Sequence, residues 1–295
     1  MTQTATRVAV TGGSGRLGRA VVRDLSEHGY AVVNLDRTPP PAGAPGDFVS
    51  VDLTDYGQVL GALTGLEDRY DGVTQIVHLA AVPAPGLLPN ATTFVANISA
   101  THHVFAAARV AGIRTVVWAS SETVLGLPFD TPPPYLPVDE EYHPRPESSY
   151  SLAKTLEEEM AHQLCRWDPS LRMVGLRFSN VMHPEDYDAF PGFDRDPQLR
   201  RWNLWGYIDA RDGAQACRLA LEHDATGCDV FIVANADTVM STPSADLAAQ
   251  VYPDVEVRGD LVGTQTLLSI EKARRVLGYE PQHSWRDHVV PDGGA

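Results

Sequence analysis

Basic residues are scarce in this chain: 23 lysines and arginines stand against 38 aspartates and glutamates, for a net charge of −15. Such a surface repels phosphate backbones and anionic lipid, which excludes nucleic acid and membranes as general partners. Cysteine is scarcer still. Cys165, Cys217 and Cys228 are too widely spaced for a zinc pattern, and an odd, low count points to reduced thiols in the cytoplasm. Met1 to Arg7 carries no apolar signal core, and no run approaches a membrane-spanning length, so a cytoplasmic protein is expected. His102-His103 has no partner at ligand spacing, and His162 with Cys165 supplies too few ligands for zinc, so no metal is expected. No internal repeat or low-complexity tail is evident.

What is present is a regular alternation. With 43% hydrophobic residues over 295 positions, the chain affords a sizeable core. Arg7 to Thr11 is a short β-branched run that stops at glycines, Arg16 to Gly29 has helical apolar spacing, and Ala31 to Leu35 is again apolar. Together they have the length of a βαβ unit. The pattern predicts strands over 48–53, 75–80, 114–119, 171–178 and 229–234. It predicts helices over 56–66, 92–111, 148–167, 208–223, 244–251 and 270–277. Fully apolar strands alternating with helices predict a Rossmann-type, doubly wound parallel sheet of the α/β class. Pro128 to Pro146, rich in proline and acids, reads as a surface loop. His183 to Asn203 is irregular and reads as a loop or small lobe. The expected division is a Rossmann domain over 1–178, also receiving roughly 205–235, and a small C-terminal substrate lobe over 179–204 and 236–295.

Gly12-Gly13-Ser14-Gly15-Arg16-Leu17-Gly18 lies between the first strand and the first helix. Its glycines allow a tight turn and a close approach of backbone to a pyrophosphate, which the helix N-terminus attracts. Gly12, Gly15, Arg16, Leu17 and Gly18 are therefore candidate cofactor contacts. Asp36 ends the second strand, where a carboxylate binds the ribose hydroxyls of NAD and repels the extra phosphate of NADP. Arg37 beside it is suited to that phosphate instead, so NAD is favoured over NADP without Arg37 being explained. Asp52-Leu53 follows the third strand, either beside the adenine or as the cap region of the next helix.

Tyr150-Ser151-Leu152-Ala153-Lys154 places a phenol and an ammonium on one helical face. The ammonium favours phenolate, and a phenol so tuned exchanges a proton with a substrate hydroxyl. Ser120-Ser121 sits at the carboxyl edge of the sheet, where ligands bind, and either orients the reacting oxygen or caps a turn.

These features in this order resemble the extended short-chain dehydrogenase/reductase family, the NAD-dependent epimerases and dehydratases. His78-Leu79-Ala80-Ala81, Ser120 to Gly126, Tyr150 to Lys154 and the ending Lys272-Ala273-Arg274-Arg275-Val276-Leu277-Gly278-Tyr279-Glu280-Pro281 carry the resemblance across nearly the whole chain. It implies Ser121 as the catalytic serine and Tyr150 as the acid/base. Lys154 would hold the nicotinamide ribose. Leu79, Ala80 and Ala81 would line the cofactor path. Asn97 stands where the family often has an asparagine near the site, or is a buried helix polar group. Pairing through the helices from Thr92 and Ser148 would give a homodimer.

Leu204 to Asp212 lacks the arginine that nucleotide-sugar epimerases carry in the matching run, and the preceding insert is short. Arg177 to Tyr187 resembles the compact uronate dehydrogenases locally. Arg195, Arg200 and Arg201 are suited to an anionic substrate group or simply face solvent. Trp202 and Trp205 line the pocket or pack the lobe, and Glu157-Glu158-Glu159 reads as a solvated helix face. The expected activity is NAD-dependent hydride transfer at a hydroxyl of a sugar or sugar acid. The alternatives are a nucleotide-sugar epimerase or dehydratase with captive NAD, and a non-catalytic NAD sensor.

Overall fold

The computed structural model describes residues 6–65 and 70–288. In chain order, β1 (Arg7–Thr11), α1 (Arg16–Glu27), β2 (Ala31–Asp36), β3 (Asp47–Ser50), α2 (Tyr56–Thr64), β4 (Gln75–His78), α3 (Asn90–Val110) and β5 (Thr115–Ser121) form the first half. The two-residue β6 (Tyr135–Leu136) precedes α4 (Ser149–Trp167) and β7 (Arg172–Phe178). Then follow β8 (Val181–Met182), 3-10 turns between Pro184 and Asn203, β9 (Ile208–Asp209), α5 (Ala210–Glu222) and β10 (Gly227–Val233). The described chain closes with α6 (Ser244–Val251), β11 (Glu256–Val257), α7 (Glu271–Leu277) and a last 3-10 turn at Trp285–Asp287.

Seven strands make one parallel sheet in the order β3-β2-β1-β4-β5-β7-β10. The order reverses between β1 and β4, and ligands of such sheets bind beyond the carboxyl edge there. Both faces are covered. Val8 and Val10 join the core under α1 and α5, while Ala9 between them joins the core under α2, α3 and α4. This is why β1 reads as an unbroken apolar run rather than an alternating one. Each fully buried valine contributes roughly 1.5–3 kcal/mol relative to exposure.

Three expectations are corrected. The helix after β3 is capped by Asp55, whose carboxylate accepts from Gly57 N and Gln58 N, and not by Asp52. Asp52 folds back on Thr54 instead, accepting from its backbone and hydroxyl. That helix ends at Thr64, before a glycine with φ +100°; the expected last residue, Leu66, lies outside the described residues. The proline-rich segment 128–146 is not all surface. Phe129, Leu136 and Val138 are fully buried or nearly so, β6 pairs with β11, and Val138 N donates to Leu267 O. Three well-placed apolar side chains outweigh the prolines around them.

The third correction concerns Glu157-Glu158-Glu159. Only Glu159 is exposed; Glu157 and Glu158 are buried between α4 and the sheet. They stand three and four residues after Lys154 and so share its inward face. The C-terminal run has a plain structural reason: Ala273 and Leu277 bury α7 against β10, Gly278 ends it at φ +70°, and the buried Tyr279 hydroxyl donates to Ala234 O.

Candidate active site

At the β1–α1 turn, Gly12 has φ +70°, and a Cβ there would lie 2.7 Å from Ala80 N. A Cβ on Gly18 would lie 2.0 Å from Gly12 O. The loop is thus a backbone cradle that side chains would fill. Gly15 begins α1 with no side-chain cap, leaving the first N–H groups of the helix for an anion. At the end of β2, Asp36 accepts from Ser14 N at 3.1 Å and Thr38 N at 3.0 Å, which fixes its carboxylate beside the loop. The chemistry of this donor set fits a dinucleotide: glycine backbone and helix N-terminus for the pyrophosphate, and a fixed carboxylate for ribose hydroxyls.

Ser121 closes β5, and Tyr150 and Lys154 start α4. Burial raises the Tyr150 phenol above its ordinary pKa, while Lys154 and a hydrogen bond with Ser121 pull it back down. Lys154 Nζ donates to Ala119 O at 2.8 Å and to Glu157 Oε2 at 2.9 Å. Burial works against the Lys154 charge, and Glu157 more than offsets it, so its pKa stands above the ordinary lysine value. Beneath them, His78 hydrogen-bonds Thr11 Oγ1 at 2.7 Å and Thr101 Oγ1 at 3.1 Å. Burial, with Lys154 adding in the same direction, lowers His78 to about 3, so it is a neutral bridge between the glycine-loop strand and α3. Next to Ser121, burial raises Glu122 to about 7 against the hydrogen bonds it accepts from Ser179 and Asn203.

One cavity of about 1090 Å³ runs along the carboxyl edge of the sheet. Gly12, Gly15, Arg16, Leu17, Gly18, Asp36, Arg37, Asp52, Leu53, Leu79, Ala80, Ala81, Asn97, Ser121, Tyr150 and Lys154 all line it. The Asn97 amide is already committed: Oδ1 accepts from Val82 N and Nδ2 donates to Val82 O, which pins the strand-end segment Leu79–Val82. His103 hydrogen-bonds Leu53 O and so holds the other end of the cavity wall.

Trp202 lines the cavity, whereas Trp205 is fully buried with Nε1 donating to Pro197 O. None of the three lobe arginines lines it. Arg195 is exposed, Arg201 reaches Asp130 at 3.5 Å, and Arg200 is buried against Phe193 and Trp202. Sequence reasoning missed His78 as a bridge, Glu122, and the buried acids Glu157 and Glu158. Motif position carried the available signal: His78 heads the run that ends at Ala81, and Glu122 directly follows the serine pair. Among the described residues no group of histidine, cysteine, aspartate or glutamate could hold a metal ion, and no helix is long and apolar enough to cross a membrane.

The family described as "NAD dependent epimerase/dehydratase family" matches residues 8–234. This chain belongs to that family. Among curated members, human (Homo sapiens) UDP-glucose 4-epimerase is 29% identical over 225 residues, covering 69% of this chain and 61% of the epimerase. The chain thus matches about three-fifths of that relative's length. L-arabinose 1-dehydrogenase (NAD(P)(+)) from Haloferax volcanii is 25% identical over 286 residues, covering 94% of this chain and 96% of that enzyme. Among solved structures, a short-chain dehydrogenase/reductase superfamily protein from Agrobacterium tumefaciens with bound NAD is 25% identical, with a TM-score of 0.71 and coverage of 96% and 94%. The fold described above is the Rossmann-like fold of this NAD-dependent family.

Proposed function

We propose that this member of the epimerase/dehydratase family is an NAD-dependent dehydrogenase that oxidises a hydroxyl of a free, uncharged sugar and exchanges its cofactor at each turnover. The observation that carries it is the charge of the cavity lining. Among the described residues its only cations are Arg16, Arg37 and Lys154. Arg16 and Arg37 flank the glycine loop and the end of β2, and Lys154 is tied to Glu157. Beyond Tyr150 the walls are Thr123, Pro128, Glu147, Asn180, Met182 and Trp202. A uronate carboxylate or a nucleotide diphosphate would meet no lining guanidinium there; Glu147 is paired at 2.9 Å with Arg145, which lies outside the lining. The end-to-end similarity to an arabinose dehydrogenase supports the same reading.

A bound nicotinamide supplies the hydride acceptor. Tyr150 takes the proton of the substrate hydroxyl, Ser121 orients that oxygen, and Lys154 favours the phenolate. Residues 1–178 with roughly 205–235 form the proposed cofactor domain and 179–204 with 236–295 the smaller lobe; among the described residues of that lobe, Ser179 to Met182, Asp186 and Trp202 line the cavity. Leu152 and Leu156 are exposed one turn apart on α4, and Val95 is exposed on α3. This apolar surface supports a homodimer through those helices.

The alternative, a nucleotide-sugar epimerase, is favoured by the similarity to UDP-glucose 4-epimerases. The cofactor content of denatured, freshly purified protein separates the two. The proposal expects empty protein that reduces added NAD with neutral aldoses and not with the matching uronates. Stoichiometric NAD(H) in the extract would point to captive cofactor and an epimerase. Reversible NAD binding with no turnover on any sugar would indicate a sensor.

NAD is the proposed preference over NADP, on the fixed carboxylate of Asp36. Asp36→Ala should weaken NAD binding by about ten- to a hundred-fold, the range for losing charge-assisted hydrogen bonds. It should leave NADP binding unchanged or improved, because Arg37 stays. Titrating both cofactors into both proteins checks this; an unchanged NAD-to-NADP ratio would remove Asp36 as the selecting group.

A further inference from the structure

We infer that Glu157 is a positioning residue that holds the Lys154 ammonium charged and in place beneath Tyr150. The inference rests on the proposed role of Tyr150 as acid/base. The Lys154 and Glu157 side chains are 3% and 0% exposed and 2.9 Å apart. Lys154 lines the cavity and Glu157 does not, so Glu157 acts only through its neighbour. A buried ammonium without a counter-charge loses its proton readily. The other groups facing this pair are few. Glu158 is taken by Arg177 and Ser120, His78 is neutral, Thr101 lies beside the Glu157 carboxyl, and Glu122 faces Tyr150 from beyond β5. Burial raises the Glu157 carboxyl while Lys154 and Thr101 draw it back down, so the pair holds its charges mutually: Glu157 keeps the lysine protonated, and its carboxylate opposes ionisation of Tyr150.

Both effects have the same sign for Glu157→Gln. Losing the carboxylate charge lowers the pH at which Tyr150 ionises and the pH at which Lys154 discharges. The active pair is phenolate with ammonium, so oxidation runs between those two limbs. Both limbs of the kcat/KM profile should move to lower pH by about one unit, the scale of one charge acting through a partly screened interior. A side chain with only a packing role would lower the profile at every pH and leave its limbs in place.

A second readout needs no substrate. The chain has just two lysines, Lys154 and Lys272. Full-length protein labelled with 13C at the lysine ε-carbon shows both, and Lys272 on α7 serves as the internal reference. Lys154 should titrate above the ordinary lysine range in the wild type and about one unit lower in Glu157→Gln, with Lys272 unmoved. Identical Lys154 titration in the two proteins would overturn the inference, since Glu157 would then carry no charge of consequence. If the variant does not fold, the wild-type signal decides: Lys154 titrating at or below the ordinary range overturns it. A shifted Lys154 in a protein that oxidises no sugar would leave Glu157 in this role and reject the dehydrogenase reading instead.

Discussion

Tyr150→Phe is expected to lower kcat by about 10²–10⁴-fold, the range for removing a positioned acid/base, while NAD affinity and thermal stability stay close to wild type. The substitution deletes one oxygen from a ring that keeps its place: Tyr150 is buried on the inner face of α4. Ser121 Oγ, which loses its phenol neighbour, still accepts from Thr123 N and Thr123 Oγ1. The Ser121 hydroxyl hydrogen that loses the phenol faces the cavity, where water can accept it, so the loss falls on chemistry more than on the fold. The pH dependence of the wild type follows from the same group. Burial raises the phenol and Lys154 lowers it again, and oxidation needs the deprotonated form. Oxidation should therefore rise with pH through the Tyr150 ionisation and reduction should fall, and the variant should show neither slope. Steady-state kinetics in both directions across pH checks this. Full activity in the variant would remove Tyr150 from the mechanism.

The parts of the site legible in the sequence are those whose chemistry is local. Gly18 is forced by a backbone contact inside its own turn and Gly12 by its φ of +70°, so a strand–glycine–helix order suffices to find them, although the Ala80 backbone that also crowds Gly12 comes from beyond β4. Tyr150 and Lys154 lie one helical turn apart, and a fixed spacing carries them. Asp36 is placed by the length of a βαβ unit. Glu157 and Glu158 were illegible for the opposite reason. A run of three glutamates has the composition of a solvated face, and their partners Lys154, Arg177 and Ser120 come from α4, β7 and β5. The Lys154–Glu157 pair lies within one turn of α4 and was hidden by that composition alone, whereas the parallel register that sets Ser120 beside Arg177 is what brings partners to Glu158. The segment from Phe129 to Val138 was misread similarly: its partners at Glu256–Val257 and Leu267 are more than a hundred residues away. Arg200, suited in sequence either to an anionic group or to solvent, meets neither: it is buried against the rings of Phe193 and Trp202 and donates to Gly206 O.

That distant cluster also yields the largest expected change in stability. Arg177 donates from Nε and NH2 to both oxygens of Glu158, at 2.9 and 2.8 Å, and Ser120 Oγ donates to the same carboxylate at 2.5 Å. The two charged side chains are 3% and 6% exposed. Arg177→Met keeps most of the volume but leaves Glu158 buried with one hydroxyl, and breaking a buried pair from one side costs about 3–5 kcal/mol. In a chain of this size that lowers Tm by roughly five to eight degrees. The stranded carboxyl will bind its proton more tightly folded than unfolded, so the deficit should be greatest at neutral pH and shrink as pH falls toward the ordinary glutamate range. Removing the charge as well, in Arg177→Met with Glu158→Gln, should recover part of the loss, because the uncompensated charge is the larger share of it. The cluster ties α4, which carries Tyr150 and Lys154, to β5, which carries Ser121, so the single variant should also lose turnover beyond its loss of folded protein. Thermal melts of the two singles and the double across pH test this. If the double loses the sum of the singles, the two side chains are uncoupled, and the tie between the catalytic helix and the catalytic strand must lie elsewhere.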